Sequence, residues 1–322
     1  MKSIRRNAAV FALFMALCGT AFAQAWPSKP VHIIVPVGAG TFGDILARMV
    51  SDELQAVFKQ PFVVENKAGA SGIIAADFVA KSAPDGYTLL VMTNSAHSAT
   101  QYLFKKLPYE PIKDFTAIAR LCYVPFMLVV GQDSPIQSLG DLVARGKANP
   151  GKLSYGYGNT TGQVAAAALS SLTGMNAVAV PYKTTPAAMT ELIGGRIDFL
   201  FVDAGSSASL LKSGRLRAIG VTSEKRSALL PDVPTIEEGA KLPGFSVAAW
   251  AGLGAPAGLP SDIATKISNA MLDLAKRKSF AEKLSAMGAE PAPASVTEFN
   301  PYLVRQLAIW GQKIKEAGVE PQ

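Results

Sequence analysis

A short apolar run, a loop of small and hydroxyl residues, and a segment of helical spacing follow one another repeatedly along this 322-residue chain. Val31–Pro36 reads as a strand. Gly43–Lys59 then places Ile45, Leu46, Met49, Val50, Leu54 and Val57 on one helical face. Strands are expected at Phe62–Glu65, Thr88–Met92, Leu121–Val130, Leu153–Tyr157, Ala177–Val180, Ile197–Phe201 and Ala218–Thr222. Helices are expected at Ser71–Ser82, Leu139–Ala148, Gln163–Thr173, Pro186–Gly194, Ala208–Ser213, Ser261–Lys276 and Val296–Ala317. Such βα units imply an α/β fold with mostly parallel sheets. They form two sets, which implies two lobes, with chain crossings near Val124-Pro125 and near Trp250.

The first residues read as an address. Lys2, Arg5 and Arg6 precede an apolar run from Ala8 to Leu17, and Ala21-Phe22-Ala23 offers small residues at a cleavage site. The run is shorter than the roughly 20 residues a membrane span needs. Cys18 follows bulky Leu17, unlike a lipid-anchoring cysteine. Cleavage after Ala23 is the expectation, with residues 1–23 as a signal peptide. The mature chain, Gln24–Gln322, would be a soluble protein in the periplasm with a formal charge of +4 and one cysteine, Cys122. Cys122 lies in an apolar run and reads as a small core residue.

Two histidines, His32 and His97, leave little for a metal site or a catalytic relay. No metal, no cofactor and no catalytic residue is expected. The basic residues are scattered without interleaved aromatics, so nucleic acid is not an expected partner.

The informative loops follow strands. Val35-Pro-Val-Gly-Ala-Gly-Thr-Phe-Gly-Asp44 opens a helix, where free backbone N–H groups and the helix dipole favour an anion. Gly38, Gly40 and Gly43 spell GxGxxG, but no acidic ribose-binding residue follows at the required place, and a lone match is weak. Three more loops share the setting: Met92–Ser95, Tyr155–Gly162 and Val202–Ser206. Ligands of parallel α/β sheets collect at the carboxyl ends of strands. Each loop alone also reads as an ordinary βα turn; it is their combination that suggests a cleft.

The chain resembles the receptors of tripartite tricarboxylate transporters, the Bug family, over its whole mature length. The resemblance is carried in order by Trp26-Pro-Ser-Lys-Pro30, Ile34-Val-Pro36, Asp44-x-x-Ala-Arg48, Val64-Glu-Asn-Lys-x-Gly-Ala70 and Pro84-Asp-Gly-Tyr-Thr-Leu-Leu90. It continues through Leu107-Pro-Tyr109, Val180-Pro-Tyr-Lys183, Leu192-x-Gly-Gly-x-Ile-Asp198, Ser213-Gly-x-Leu-Arg-Ala218, Leu230-Pro-Asp-Val-Pro-Thr235 and Ala255-Pro-Ala-Gly258. It implies a two-lobed periplasmic-binding-protein fold with two chain crossings and a ligand cleft between the lobes. The expected lobes are residues 24–125 plus 249–322, and residues 126–248. It also implies a monomeric receptor that captures a small carboxylate, a di- or tricarboxylate or an aromatic acid. Delivery would be to a permease of two integral membrane subunits. Backbone groups, hydroxyls and waters would make the contacts.

The expected ligand contacts are Gly38, Ala39, Gly40, Thr41, Phe42 and Asp44 in the first loop, and Thr93, Asn94 and Ser95 in the next. From the second lobe come Tyr157, Asn159, Thr160, Thr161 and Asp203. The chain departs from the family pattern where Gly38 replaces a proline, Thr41 replaces a glycine, Ala165-Ala166 replace His-Leu and Thr184 replaces a glycine. Phe42 and Tyr157 add bulk near the cleft, which leaves open a smaller ligand or an aromatic acid.

Several residues carry two readings. Asp44 caps its helix or touches a ligand donor. Asp203 would repel a bare anion, so a contact there implies a water or a donor on the ligand. His97 is a loop residue in water or a carboxylate partner. Lys183 attracts an anion or lies on the surface, Arg48 pairs with Asp44 one turn away, and His32 reads as structural. Two alternative functions stay open at this level: a receptor read by a membrane sensor kinase, and a secreted hydrolase. The hydrolase lacks Gly-x-Ser-x-Gly and HExxH.

Overall fold

The computed structural model describes residues 26–227 and 229–321. The signal peptide at 1–23, Cys18 and the cleavage position after Ala23 lie outside them.

In the first lobe, β1 (Val31–Val35) lies between β2 (Phe62–Asn66) and β3 (Thr88–Thr93) and runs parallel to both. The crossover helices are α1 (Phe42–Phe58) and α2 (Ile73–Ala80). Leu46, Ala47, Val50 and Leu54 bury one stripe of α1, as its apolar spacing requires. The helix stops at Lys59, whose left-handed backbone returns its N–H to the Gln55 carbonyl. A π-helical turn, Ser95–Ala99, and the single turn α3 (Thr100–Leu103) follow β3.

The 17-residue strand β4 (Phe115–Gly131) then enters the second lobe. That lobe contains α4 (Leu139–Ala148), β5 (Ser154–Tyr157), α5 (Thr160–Thr173), β6 (Val178–Pro181) and α6 (Thr185–Ile193). It continues with β7 (Phe199–Asp203), α7 (Ala204–Lys212), β8 (Leu216–Val221) and α8 (Ile236–Ala240). The return to the first lobe is β9 (Ala248–Pro256), followed by α9 (Ser261–Ala275), α10 (Lys278–Ala286), β10 (Glu290–Ala294) and α11 (Val296–Glu316).

The strand order is β2-β1-β3-β9-β4-β7-β5-β6, with β8 and β10 also on β4. From Phe115 to Pro125, β4 pairs with β9; from Phe126 it pairs with β7 and β8. Pro125 stands opposite Ala248, so the two crossings run side by side.

The expectation of mostly parallel sheets needs correction. All ladders of β4 and β9 are antiparallel. One strand leaves the first lobe and the other returns, so they run in opposite directions. β9 and β10 were not legible. β9 is rich in alanine and glycine because its neighbours are close: a Cβ on Gly252 would stand 2.5 Å from the Ala119 carbonyl oxygen and 2.7 Å from the Phe299 ring. Two helices also begin earlier than their apolar spacing indicates. Asn159 caps α5 through Gly162 N–H, at 2.8 Å, and Asp203 caps α7 through Ser206 N–H, also at 2.8 Å. Thr160 and Thr161 are therefore helical.

Cys122 is buried in β4, and burial pushes its thiol up to about 12, which leaves it unreactive. Behind the β3–β9–β4 layer, Trp250 packs edge-on to Phe299 and Tyr302.

Candidate functional site

The loops at the carboxyl ends of the strands in both lobes meet at one cavity of about 100 Å³. From the first lobe, Gly38, Thr41, Phe42 and Gly43 reach it at the start of α1, and Thr93, Asn94 and Ser95 reach it beyond β3. From the second lobe come Asn159 and Thr161 at the start of α5, Thr184 and Thr185 at the start of α6, and Asp203 and Ser206 at the start of α7. Four helices of 9 to 17 residues thus point their N-termini at one space. Each end presents backbone N–H groups that the helix does not use, together with the positive end of its dipole.

The lobes touch across this cavity. Asn94 Nδ2 donates to Thr161 Oγ1 at 2.7 Å, with both residues buried. The Phe42 N–H donates to Ser206 Oγ at 3.4 Å. Ser206 Oγ in turn donates to Asp203 Oδ2 at 2.8 Å. The β5–α5 loop fits against the start of α6 only because residue 158 is glycine: a Cβ there would lie 2.1 Å from the Thr185 nitrogen. Asn159 Nδ2 reaches across the same junction to Thr185 Oγ1, at 2.9 Å.

Among the described residues that line the cavity, Lys183 is the one basic side chain and Asp203 the one acidic side chain. Burial raises the Asp203 carboxyl above its ordinary range, while the Ser206 N–H and hydroxyl oppose that shift.

Nine expected residues line the cavity: Gly38, Thr41, Phe42, Thr93, Asn94, Ser95, Asn159, Thr161 and Asp203. The other five do not. Ala39 and Gly40 are exposed on the rim, and the Gly40 N–H is taken by Asp44 Oδ2 at 3.0 Å. Asp44 faces away from the cleft. Its carboxylate accepts from Arg48 Nε and Nη2 at 3.2 and 3.1 Å, and from Asn66 Nδ2 at 3.0 Å. Burial works to raise its pKa, but these hydrogen bonds outweigh burial and hold it below the ordinary value. Thr160 is fully buried inside the second lobe, and Tyr157 lines a neighbouring cavity.

Neither reading of His97 survives. The ring is completely buried, 4.7 Å from Phe115 and 6.4 Å from Trp250 between centroids. Its Nδ1 donates to the Thr93 carbonyl at 3.3 Å, and burial holds it neutral with a pKa of about 4. His32 is structural: its Nδ1 bridges β1 to Glu65 on β2, at 2.5 Å.

Sequence reasoning missed the loop after β2. Gly69, Ala70, Ser71 and Gly72 all have positive φ, and Gly69, Ser71 and Gly72 line the cavity. The signal was present, since this too is a run of small residues between a strand and a helix. It also left Thr184 and Thr185 off the expected contacts, and reached Ser206 only as the end of the Val202–Ser206 loop. Thr184-Thr185-Pro186 spells a helix start. Trp250 carried no such signal, because it arrives on the return strand β9.

The family model for the tripartite tricarboxylate transporter family receptor matches residues 46–319. The chain belongs to this family. Rpa4515 of R. palustris, solved with adipate, is 33% identical with a TM-score of 0.89 over 92% of this chain and 100% of that one. The periplasmic binding protein BugD is 31% identical with a TM-score of 0.86, over 92% and 100%. MatC (Rpa3494) from Rhodopseudomonas palustris, solved with bound malate, is 29% identical with a TM-score of 0.82, over 90% and 100%. The fold of this tripartite tricarboxylate receptor is that of a two-lobed α/β periplasmic binding protein, with the ligand cleft between the lobes.

Proposed function

We propose that this chain is a periplasmic solute receptor that captures a small carboxylate between its lobes and delivers it to a tripartite tricarboxylate permease of two integral membrane subunits. The lobes are residues 24–125 plus 249–322, and residues 126–248. The protein acts as a monomer, exported with cleavage after Ala23. The observation that carries the reading is the convergence of the α1, α5, α6 and α7 N-termini on one cavity, which favours a negative charge without a dedicated arginine. Relatives solved with adipate and malate support the same class of ligand.

The contacts fall to Gly38, Thr41 and Phe42 on one side and to Asn159, Thr161 and Lys183 on the other. Ser71 and Thr185 add hydroxyls. Closure joins Asn94 to Thr161 and removes water from the ligand, which strengthens each N–H contact. Asp203 disfavours a second bare charge beside it and selects a donor, either a ligand hydroxyl or a bridging water.

A thermal-shift screen of Gln24–Gln322 tests the proposal. Acids that bind the folded state raise the melting temperature, and the matching amides do not. If amides and acids raise it equally, or if nothing does after unfolding and washing, the carboxylate assignment is wrong.

A further inference from the structure

We infer that Lys105 and Lys106 form an electrostatic lip that steers anions into the cleft and sets the rate of capture without touching the seated ligand. The inference rests on the receptor reading above and adds how the anion arrives.

A second interlobe cavity, of about 220 Å³, adjoins the first. Ser71, Gly158, Asn159 and Lys183 line both. The second mixes Leu103, Phe104 and Pro181 with the polar groups of Tyr157, Gln163 and Tyr182. Polar groups along a wall let an anion keep partners as it sheds water.

Leu103 and Phe104 join this lining at the end of α3, and Lys105 and Lys106 are the next two residues. Their Cα atoms lie at most about 8 Å from that of Phe104, which is inside about one Debye length at 0.1 M salt. Both lysines are exposed, and among the described residues neither pairs with a carboxylate, unlike Lys113, which holds Glu110 at 2.7 Å.

The acids of the same segment stand at its other end. The Glu110 N–H donates to Asp114 Oδ2 at 2.7 Å. Asp114 precedes Phe115, which pairs with Pro256 at the end of β9. Ala251, five residues back along β9, lines the first cavity. At a rise of about 3.4 Å per residue, that separation is about 17 Å. The segment from Phe104 to Asp114 is thus polarised, with lysines beside the cleft and carboxylates beyond the range that salt leaves open.

The acids nearer the cleft are occupied. Asp203 is buried and bonded to Ser206, and Glu65 lies between His32 and Lys67. On the opposite lobe Lys183 is exposed and completes the lip. Such a lip raises the encounter rate of anions, more for two charges than for one. Lys105 and Lys106 line neither cavity, so they act on arrival rather than on retention.

Stopped-flow fluorescence of the full mature chain with adipate, malate and benzoate tests this. At 0.1 M salt the double variant Lys105→Gln, Lys106→Gln should slow association about four-fold for the two dianions and about two-fold for benzoate. Dissociation rates should stay unchanged, and the difference should vanish near 1 M salt, where the Debye length is about 3 Å. Lys113→Gln, at the far end of the segment, should leave association unchanged. Equal association rates for the double variant and wild type at 0.1 M salt would overturn the lip. So would a loss that persists at high salt or that lies in dissociation. Each of these leaves the carboxylate receptor standing, whereas wild-type protein that binds none of the three acids would overturn both.

Discussion

Asn94 of the first lobe donates its side-chain amide to the Thr161 hydroxyl of the second, 2.7 Å away and out of reach of water. The bond exists only while the lobes are together, so its energy belongs to the closed form. Thr161→Val keeps the shape and leaves the amide unpaired. The expected cost is about 1–3 kcal/mol on closure. Titration with the best acid should show affinity falling by roughly ten-fold or more, with a smaller change in the melting temperature without ligand. An unchanged affinity would remove this pair from the closing mechanism.

Asp44, within the first turn of α1 and not at its N-cap, tests the difference between a structural anchor and a ligand contact. Asp44→Ala removes the acceptor for the Gly40 N–H, Arg48 and Asn66, and should lower stability by about 1–2 kcal/mol. Its folded pKa is depressed. Its contribution is therefore present above the ordinary carboxylate pKa and is lost as pH falls through the folded value. Urea melts of the two proteins should converge at acid pH. A gap that stays constant with pH would contradict the assignment.

Asp203 titrates with the opposite sign. Burial raises its carboxyl, so its contribution favours folding at low pH and is lost as pH rises through the folded value. Asp203→Asn keeps the cap to Ser206 and removes the charge. Relative to wild type it should gain stability as pH rises towards neutrality. It should also bind a simple carboxylate at least about three-fold tighter, since one negative charge leaves the cleft. Weaker binding would mean that Asp203 accepts a hydrogen bond from the ligand.

His97 predicts a step in stability on mild acidification. It is buried and neutral, with a pKa near 4 against an ordinary 6.5. Its contribution is complete above 6.5 and is lost as pH falls towards 4, on the order of 3 kcal/mol across that window. His97→Leu should flatten the stability profile between those two values. An NMR titration showing His97 protonated near pH 6.5 would refute the burial argument.

Gly158→Ala forces the β5–α5 loop away from the start of α6, because the new methyl would lie 2.1 Å from a backbone nitrogen. Overpacking of this kind costs about 1–3 kcal/mol. A lower melting temperature should accompany weaker acid binding, as both cavities share this wall. Normal values for both would mean that the junction is looser than described.

The βα units were legible because each carries its own period and its own stop, as α1 does with its apolar stripe and the left-handed Lys59. The crossing strands were not. β9 is shaped by neighbours far away in sequence, and Gly252 is small because Ala119 and Phe299 are close. The site divides the same way. Asn159 and Asp203 were singled out as loop residues, but the helices they cap were expected only from Gln163 and Ala208. Which hydrogen bonds those starts had already used was invisible, so Gly40 and Asp44 read as ligand contacts when they serve each other. His97 misled for a similar reason: a polar residue in a small-residue loop gives no hint that Phe115 and Trp250 enclose it.

Strands β4 and β9 cross between the lobes together, paired as far as Pro125 opposite Ala248 with register shifts at Ala117/Ala119 and Arg120/Cys122. Two hydrogen-bonded strands resist sliding apart but tolerate twist. The proline has no N–H to give the ladder, so the ribbon is most compliant where the sheets change partners. The molecule therefore behaves less like a pair of jaws on a loose pin than like a torsion bar with a paddle at each end.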